Sequence, residues 1–223
     1  MSHKGAPGRL SSAGLVVGVL VTVLAGLGAS VAAVAGVAEG VHAAADQLTS
    51  AATTPPSASH TVTESMEILT GTVQRERHIV TRYGQGFGPM YTHAFWSVHV
   101  GDTVILRITS YDTGPAPLTG MQAMMFDRVE GTLGGTETVA GRPVRAVAND
   151  DIAHTFTVVG LGLNLPIPAA PTGGTVTVVA RFVARRAGSF VWQCYAPCGS
   201  GSGSMGGPMA TMGWMEGKVQ VLP

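Results

Sequence analysis

Residues 188–205 read G-S-F-V-W-Q-C-Y-A-P-C-G-S-G-S-G-S-M, a strand running into a tight turn that carries Cys194 and Cys198. These are the only cysteines of the chain. Upstream, D-I-A-H-T-F at 151–156 places His154 at the opening of another strand. A histidine on one strand, thiols after a later strand and then Met205 is an order in which a β-sandwich gathers soft donors. Thiolate, imidazole and thioether together favour copper.

The surroundings of that stretch are rich in strands. Segments 68–73, 96–100, 104–110, 154–159, 176–183, 189–194 and 218–222 are short, β-branched and bounded by Gly or Pro. Residues 105–109 and 176–182 alternate partly, as half-buried strands do. The Gly101-Asp102 pair between 96–100 and 104–110 predicts a hairpin turn. Seven or more short strands without a long amphipathic helix predict an all-β fold, an antiparallel Greek-key sandwich. Residues 113–148 fit this pattern poorly. They hold Met121, Met124, Met125 and several glycines, and are expected to be an insertion with a short helix near 121–126.

Several segments together carry a family resemblance: G-D-T-V-I-L-R-I-T-S-Y-D at 101–112, D-I-A-H-T-F-T-V at 151–158, L-G-L at 161–163, F-V-A-R-R-A-G-S-F-V-W-Q-C-Y-A-P-C-G at 182–199 and M-E-G-K-V-Q-V at 215–221. The region from Gly101 onward resembles the cupredoxins, and within them the copper-A domain of cytochrome c oxidase subunit II. The Q-C-x-x-x-C-G run is its most specific part. The resemblance implies a cupredoxin fold and copper ligands at His154, Cys194, Cys198 and Met205, with the Ala196 carbonyl as a weak additional ligand. In that family both thiolates bridge two copper ions, and a second histidine stands four residues after the second cysteine. Here that position is Ser202.

Serine is a poor ligand for soft copper. The donors left, one imidazole, two thiolates and a thioether, suit a mononuclear rather than a binuclear site. No histidine follows His154, so a substitute imidazole would have to come from His60, His78, His93 or His99 through folding. Met215 competes with Met205 for the thioether place; spacing from Cys198 favours Met205. Met205, Met209, Met212 and Met215 also crowd one loop, where thioethers could hold Cu(I) or pack as adaptable core. For Cys194 and Cys198 the competing state is a disulfide, which export would favour.

The N-terminus predicts export. Between Arg9 and Glu39 lie 29 residues without a charged side chain. As a helix they span ~43 Å, more than the ~30 Å of bilayer hydrocarbon. Lys4 and Arg9 precede them, which orients the N-terminus to the cytoplasm. Residues 1–39 are therefore expected to be a cytoplasmic end and one transmembrane helix in membrane lipid. The rival is a cleaved signal peptide ending near Ala43-Ala44-Ala45. Residues 40–60, with T-T-P-P-S-A-S, are expected to be a flexible linker, and 61–223 one domain outside the cytoplasm.

The chain has 223 residues, no formal net charge and 12% charged residues, with a mean hydropathy of +0.30. No basic cluster points to nucleic acid. No G-x-S-x-G, phosphate-binding loop or H-E-x-x-H is present. The expected role is single-electron transfer or copper handling at the cell membrane, with a redox partner protein or an oxidase complex. The chain is not expected to transform a substrate by itself. The alternatives are a metal-free module closed by a Cys194–Cys198 disulfide, or Cu(I) storage by the methionine-rich loop.

Overall fold

In a computed structural model the structure describes residues 59–82, 84 and 86–223. The expected membrane helix, and all of the linker except Ser59 and His60, lie outside the described residues. Among those described, no helix is long and apolar enough to cross a membrane.

The first strand, β1 (Thr61–Leu69), starts before the expected segment 68–73 and stops inside it. Thr70 is the reason. Its hydroxyl accepts a hydrogen bond from the Val73 amide at 3.3 Å and caps a six-residue helix, α1 (Gly71–Glu76). A capping side chain thus ends the strand where β-branched composition alone would extend it.

The next elements are β2 (Met90–Tyr91), β3 (Phe95–His99), β4 (Thr103–Ser110) and α2 (Met121–Phe126). They are followed by β5 (Glu137–Val139), β6 (Arg142–Val144), β7 (Ile152–Val158) and β8 (Leu163–Pro168). The last are β9 (Val176–Val183), β10 (Gly188–Gln193) and β11 (Glu216–Leu222). Six strands form one sheet in the order β2-β1-β4-β9-β5-β6, and five form a second in the order β3-β11-β10-β7-β8. Both sheets feed one apolar core, with Leu106, Ile108 and Val178 from the first against Phe156, Leu165 and Val219 from the second. Burial of each such large side chain contributes about 1.5–3 kcal/mol.

The sandwich is all-β in its layers, as the strand pattern implies, but it is not purely antiparallel. β1 runs parallel to β4, and β3 runs parallel to β11. These pairings join strands that tight turns do not connect, and short-range turn signals do not report them. The Gly101-Asp102 turn forms, with Gly101 at φ 93°, yet it is not a hairpin: β3 and β4 belong to different sheets. The Asp102 carboxylate holds that corner by accepting from the amides of His99 at 2.8 Å and His60 at 3.1 Å.

Within 113–148, α2 forms where a short helix is expected, and β5 and β6 extend the first sheet through Glu137↔Ala180 and Glu137↔Val144. Pro143 sits in β6, at the sheet edge, where a missing amide is tolerated. The two antiparallel strands β7 and β10 position the site. They pair antiparallel at Gln193↔Thr157, near the end of β7, so the chain beyond Gln193 runs back along β7, with the Cys194 sulfur at the Thr155 amide. That register brings the cysteine turn to His154.

Candidate metal centre

All seven residues of β7 are buried, because β7 is flanked by β10 and β8 and covered by the first sheet. His154 is the third of them and is fully buried. One of its ring nitrogens and the sulfurs of Cys194 and Cys198 lie within 4.8 Å of one another. Among the described residues this is the group of histidine, cysteine and carboxylate donors that could hold a metal ion.

The imidazole is fixed from behind. Its Nε2 lies 3.0 Å from Oδ2 of Asp112, just beyond the end of β4. Its Nδ1 is buried without an oxygen or nitrogen partner. A carboxylate on one ring nitrogen, with the other left for coordination, is the arrangement that orients metal-binding histidines. Sequence reasoning found no such acceptor. Asp112 is the last residue of the matching segment 101–112, but only the fold brings it to β7.

The two thiols are free, with their sulfurs 3.6 Å apart. Cys194 is fully buried, and its sulfur accepts from the Thr155 amide at 3.3 Å. The Thr155 hydroxyl in turn accepts from the Tyr195 amide at 2.9 Å, which ties the cysteine turn to β7 on both sides of Cys194. Cys198 is half-buried. The Ala196 carbonyl, the expected weak ligand, is buried and accepts from the Cys198 amide at 2.8 Å. Its oxygen lies 3.7 Å from the Cys194 sulfur.

The thioether set against the thiols belongs to Met209. The Cys198 sulfur lies 3.1 Å from the Met209 sulfur, and Met209 is buried. Met205 lies in a loop closed by the bridge Ser200↔Gly206, half-buried and packed on the core cluster. Gly199 permits this arrangement. A Cβ there would meet the Gly206 and Ser204 carbonyl oxygens and the Met209 side chain. Spacing from Cys198 favours Met205, but spacing does not register a loop that folds back on itself and sets the Met209 sulfur against Cys198. Met215 is buried in the core, and its carbonyl accepts from the Cys194 amide at 2.9 Å.

Among the described residues no second imidazole joins the group. His60 and His99 flank Asp102 at the corner before β4. His93 lines a shallow cavity with Met66, Thr92 and Arg107. Ser202, where the resembled family has its second histidine, is exposed in the closed loop. Trp192 belongs to the core beneath the thiols. It packs against Phe156 with ring centroids 5.1 Å apart and against Tyr91 at 4.8 Å, while its indole donates to the Ala94 carbonyl at 3.0 Å.

Charge at the site is shared among these groups. Burial of the His154 ring works against its cationic form, but the hydrogen bonds and negative charges of Asp112 and Cys194 outweigh it and push its pKa up to about 9. Burial likewise opposes the Cys194 thiolate, yet the neighbouring Cys198 thiol and His154 hold its pKa well below the ordinary thiol value. Cys198 moves the other way, raised by its contact with Cys194 and by burial. These shifts favour charge separation between the Cys194 sulfur and the His154 ring and oppose a second thiolate at Cys198. A metal ion taking these donors would displace their protons.

No protein-family model matches the chain, and no curated protein matches it. Among solved structures it is similar to the copper protein rusticyanin, at 14% identity over 72% of this chain and 77% of that one, with a TM-score of 0.33. Reduced rusticyanin is similar at 13% identity over 72% of this chain and 79% of that one, again with a TM-score of 0.33. A likeness this remote assigns neither a family nor a function.

Proposed function

We propose that the chain is a cupredoxin-like copper protein that holds one copper ion through His154, Cys194, Cys198 and a methionine thioether, and passes single electrons. The observation that carries this is the His154 Nδ1: buried, without an oxygen or nitrogen partner, on a ring whose Nε2 is held by Asp112. With Nε2 engaged by Asp112, Nδ1 is the ring nitrogen that a metal ion beside the sulfurs would take, in place of the proton that the Cys194 thiolate attracts. Imidazole with two thiolates and a thioether is a soft donor set that fits copper. Met209 takes the thioether place in preference to Met205, because its sulfur already touches Cys198.

Copper supplies a one-electron couple between its cuprous and cupric forms. The chain's own residues supply rigidity: Asp112 fixes the ring, Thr155 fixes the Cys194 sulfur, and Met209 sets its sulfur against Cys198. Held ligands move little when charge changes, which is what fast electron exchange requires. The similarity to the oxidase copper-A domain extends to the histidine and the cysteine pair. The exposed serine at 202 and the lack of a second imidazole among the described residues favour one copper ion over two. The uncharged segment before Glu39 would tether the domain outside the cell membrane, within reach of a redox partner.

The free thiols, 3.6 Å apart, favour a second state. Oxidation to a disulfide would draw the sulfurs to about 2.05 Å and remove both donors, leaving a metal-free structural module. Redox titration of the purified full-length chain with added copper separates the two. Electron transfer predicts reversible bleaching of an intense sulfur-to-copper absorption band as one electron per chain is added. A colourless protein whose thiols react only after reduction would refute the copper reading.

A further inference from the structure

We infer that the outward methionines of α2, Met121, Met124 and Met125, form a second soft-metal site, a Cu(I)-capturing surface beside the buried thiols. The inference deepens the copper reading above and rests on it for the direction of transfer, though not for binding at α2 itself.

The methionines of the C-terminal loop do not serve this purpose, because the fold largely consumes them. Met209 and Met215 are buried, and Met205 is half-buried. Of that loop only Met212 reaches solvent, at 37% exposure, whereas three thioethers of one helix are open: Met121 at 77%, Met124 at 81% and Met125 at 55%. Their spacing of i, i+3 and i+4 puts them on one helix face, with Cβ atoms ~5–6 Å apart and long, adaptable arms. The other face is spent on packing: Ala123 lies against the core cluster and Phe126 is buried in it. The helix M-Q-A-M-M-F contains no carboxylate, imidazole or amine. The methionine face itself offers a hard cation no oxygen donor, whereas three neutral thioethers match Cu(I).

Position links this face to the thiols. Phe126, the last residue of α2, stacks on Tyr195 with centroids 4.2 Å apart and planes 15° from parallel, and Tyr195 is the residue after Cys194. The Asn164 amide donates to the Phe126 carbonyl at 3.0 Å, and its oxygen accepts from the Thr157 hydroxyl. That hydroxyl also contacts Thr155, which holds the Tyr195 amide. The last residue of α2 is therefore fastened to the turn that carries the cysteines, while the methionines of the same helix stay open to solvent. Transfer from α2 to the cysteines is ligand exchange. Cu(I) leaves the neutral thioethers for sulfur donors of the pair, each thiol that binds gives its proton to water, and no electron moves.

The test uses the full-length chain, kept anaerobic, with Cu(I) supplied as its acetonitrile complex. With the cysteines replaced (C194S/C198S), one Cu(I) per chain should still bind, with methyl resonance shifts at Met121, Met124 and Met125. Adding M121L/M124L/M125L should weaken that binding at least ~10-fold, while preserving the apolar surface that a protein partner would need. With the cysteines intact, the leucine triple variant should slow the growth of the ultraviolet thiolate-to-Cu(I) band at least ~10-fold and leave its final height unchanged. The inference is overturned if the cysteine-free chain binds no Cu(I), or if the leucine variant alters neither binding nor loading rate. Wild-type chain that shows the methionine shifts without a thiolate band would support the α2 site and refute the buried one.

Discussion

Oδ2 of Asp112 lies 3.0 Å from Nε2 of His154, although 42 residues separate the two in sequence. The pair joins the end of the first sheet's β4 to the start of the second sheet's β7. It leaves Nδ1 as the nitrogen available to a metal, because Nε2 is already engaged.

Asp112→Ala should therefore act on copper binding through the ring it orients. Loss of such a partner typically lowers metal affinity ~10–100-fold. Competition titration against a calibrated copper chelator measures the change, and circular dichroism checks that the fold persists. Unchanged affinity would mean that Asp112 does not position the ligand.

Two conservative substitutions distinguish the thioethers. Met209→Leu keeps volume, so its stability cost should stay below about 1.5 kcal/mol, but it removes the sulfur 3.1 Å from Cys198. The sulfur-to-copper absorption and the reduction potential should both shift. Met205→Leu, in the neighbouring closed loop, should leave both where they are. The reverse result would return the thioether place to Met205.

The histidine and both cysteines that meet in the structure were legible from D-x-x-H and C-x-x-x-C, because each motif sits where a strand ends or begins. Asp112 was not, since its role depends on a crossing between sheets that no local pattern records. Met209 is one of four loop thioethers in the sequence, and its contact with Cys198 is not legible by counting along the chain, because Gly199 lets the following loop close on itself. Among the strands, β8 escaped notice because L-N-L-P-I-P contains two prolines. They are tolerable only because β8 lies at an edge of its sheet. The three-residue β5 and β6 are too short to show a period, and the parallel pairings join distant strands.

Gly199→Ala tests that loop directly. The added methyl would fall 2.5 Å from Met209 Cγ and 2.8 Å from the Ser204 carbonyl oxygen, so the loop or the methionine must shift. Overpacking of this kind costs about 1–3 kcal/mol. A lowered melting temperature together with faster alkylation of Cys198 is expected. An unaltered melting curve and unaltered thiol reactivity would show that the loop has room to spare.

Glu137 makes stability depend on pH. Its carboxylate is buried in β5 with both oxygens unpartnered, and burial pushes its pKa up from 4.5 to about 9. The folded state then binds a proton that the unfolded chain releases above pH 4.5, so stability is full below that value and declines as pH rises towards 9. From pH 4.5 to 7 the loss is on the order of 3 kcal/mol. Urea midpoints of the wild-type chain should fall over this range relative to Glu137→Gln, which carries no charge to bury. Parallel pH profiles for the two proteins would contradict the assignment.

X-ray absorption at the copper edge of the full-length, copper-loaded chain reports the ligands themselves. The expected result is one copper per chain with sulfur and imidazole scatterers and no copper neighbour, and loss of the imidazole contribution in His154→Ala. Copper surrounded by oxygen alone, or a spectrum that His154→Ala leaves unchanged, would contradict the meeting of ring and thiols around a metal ion.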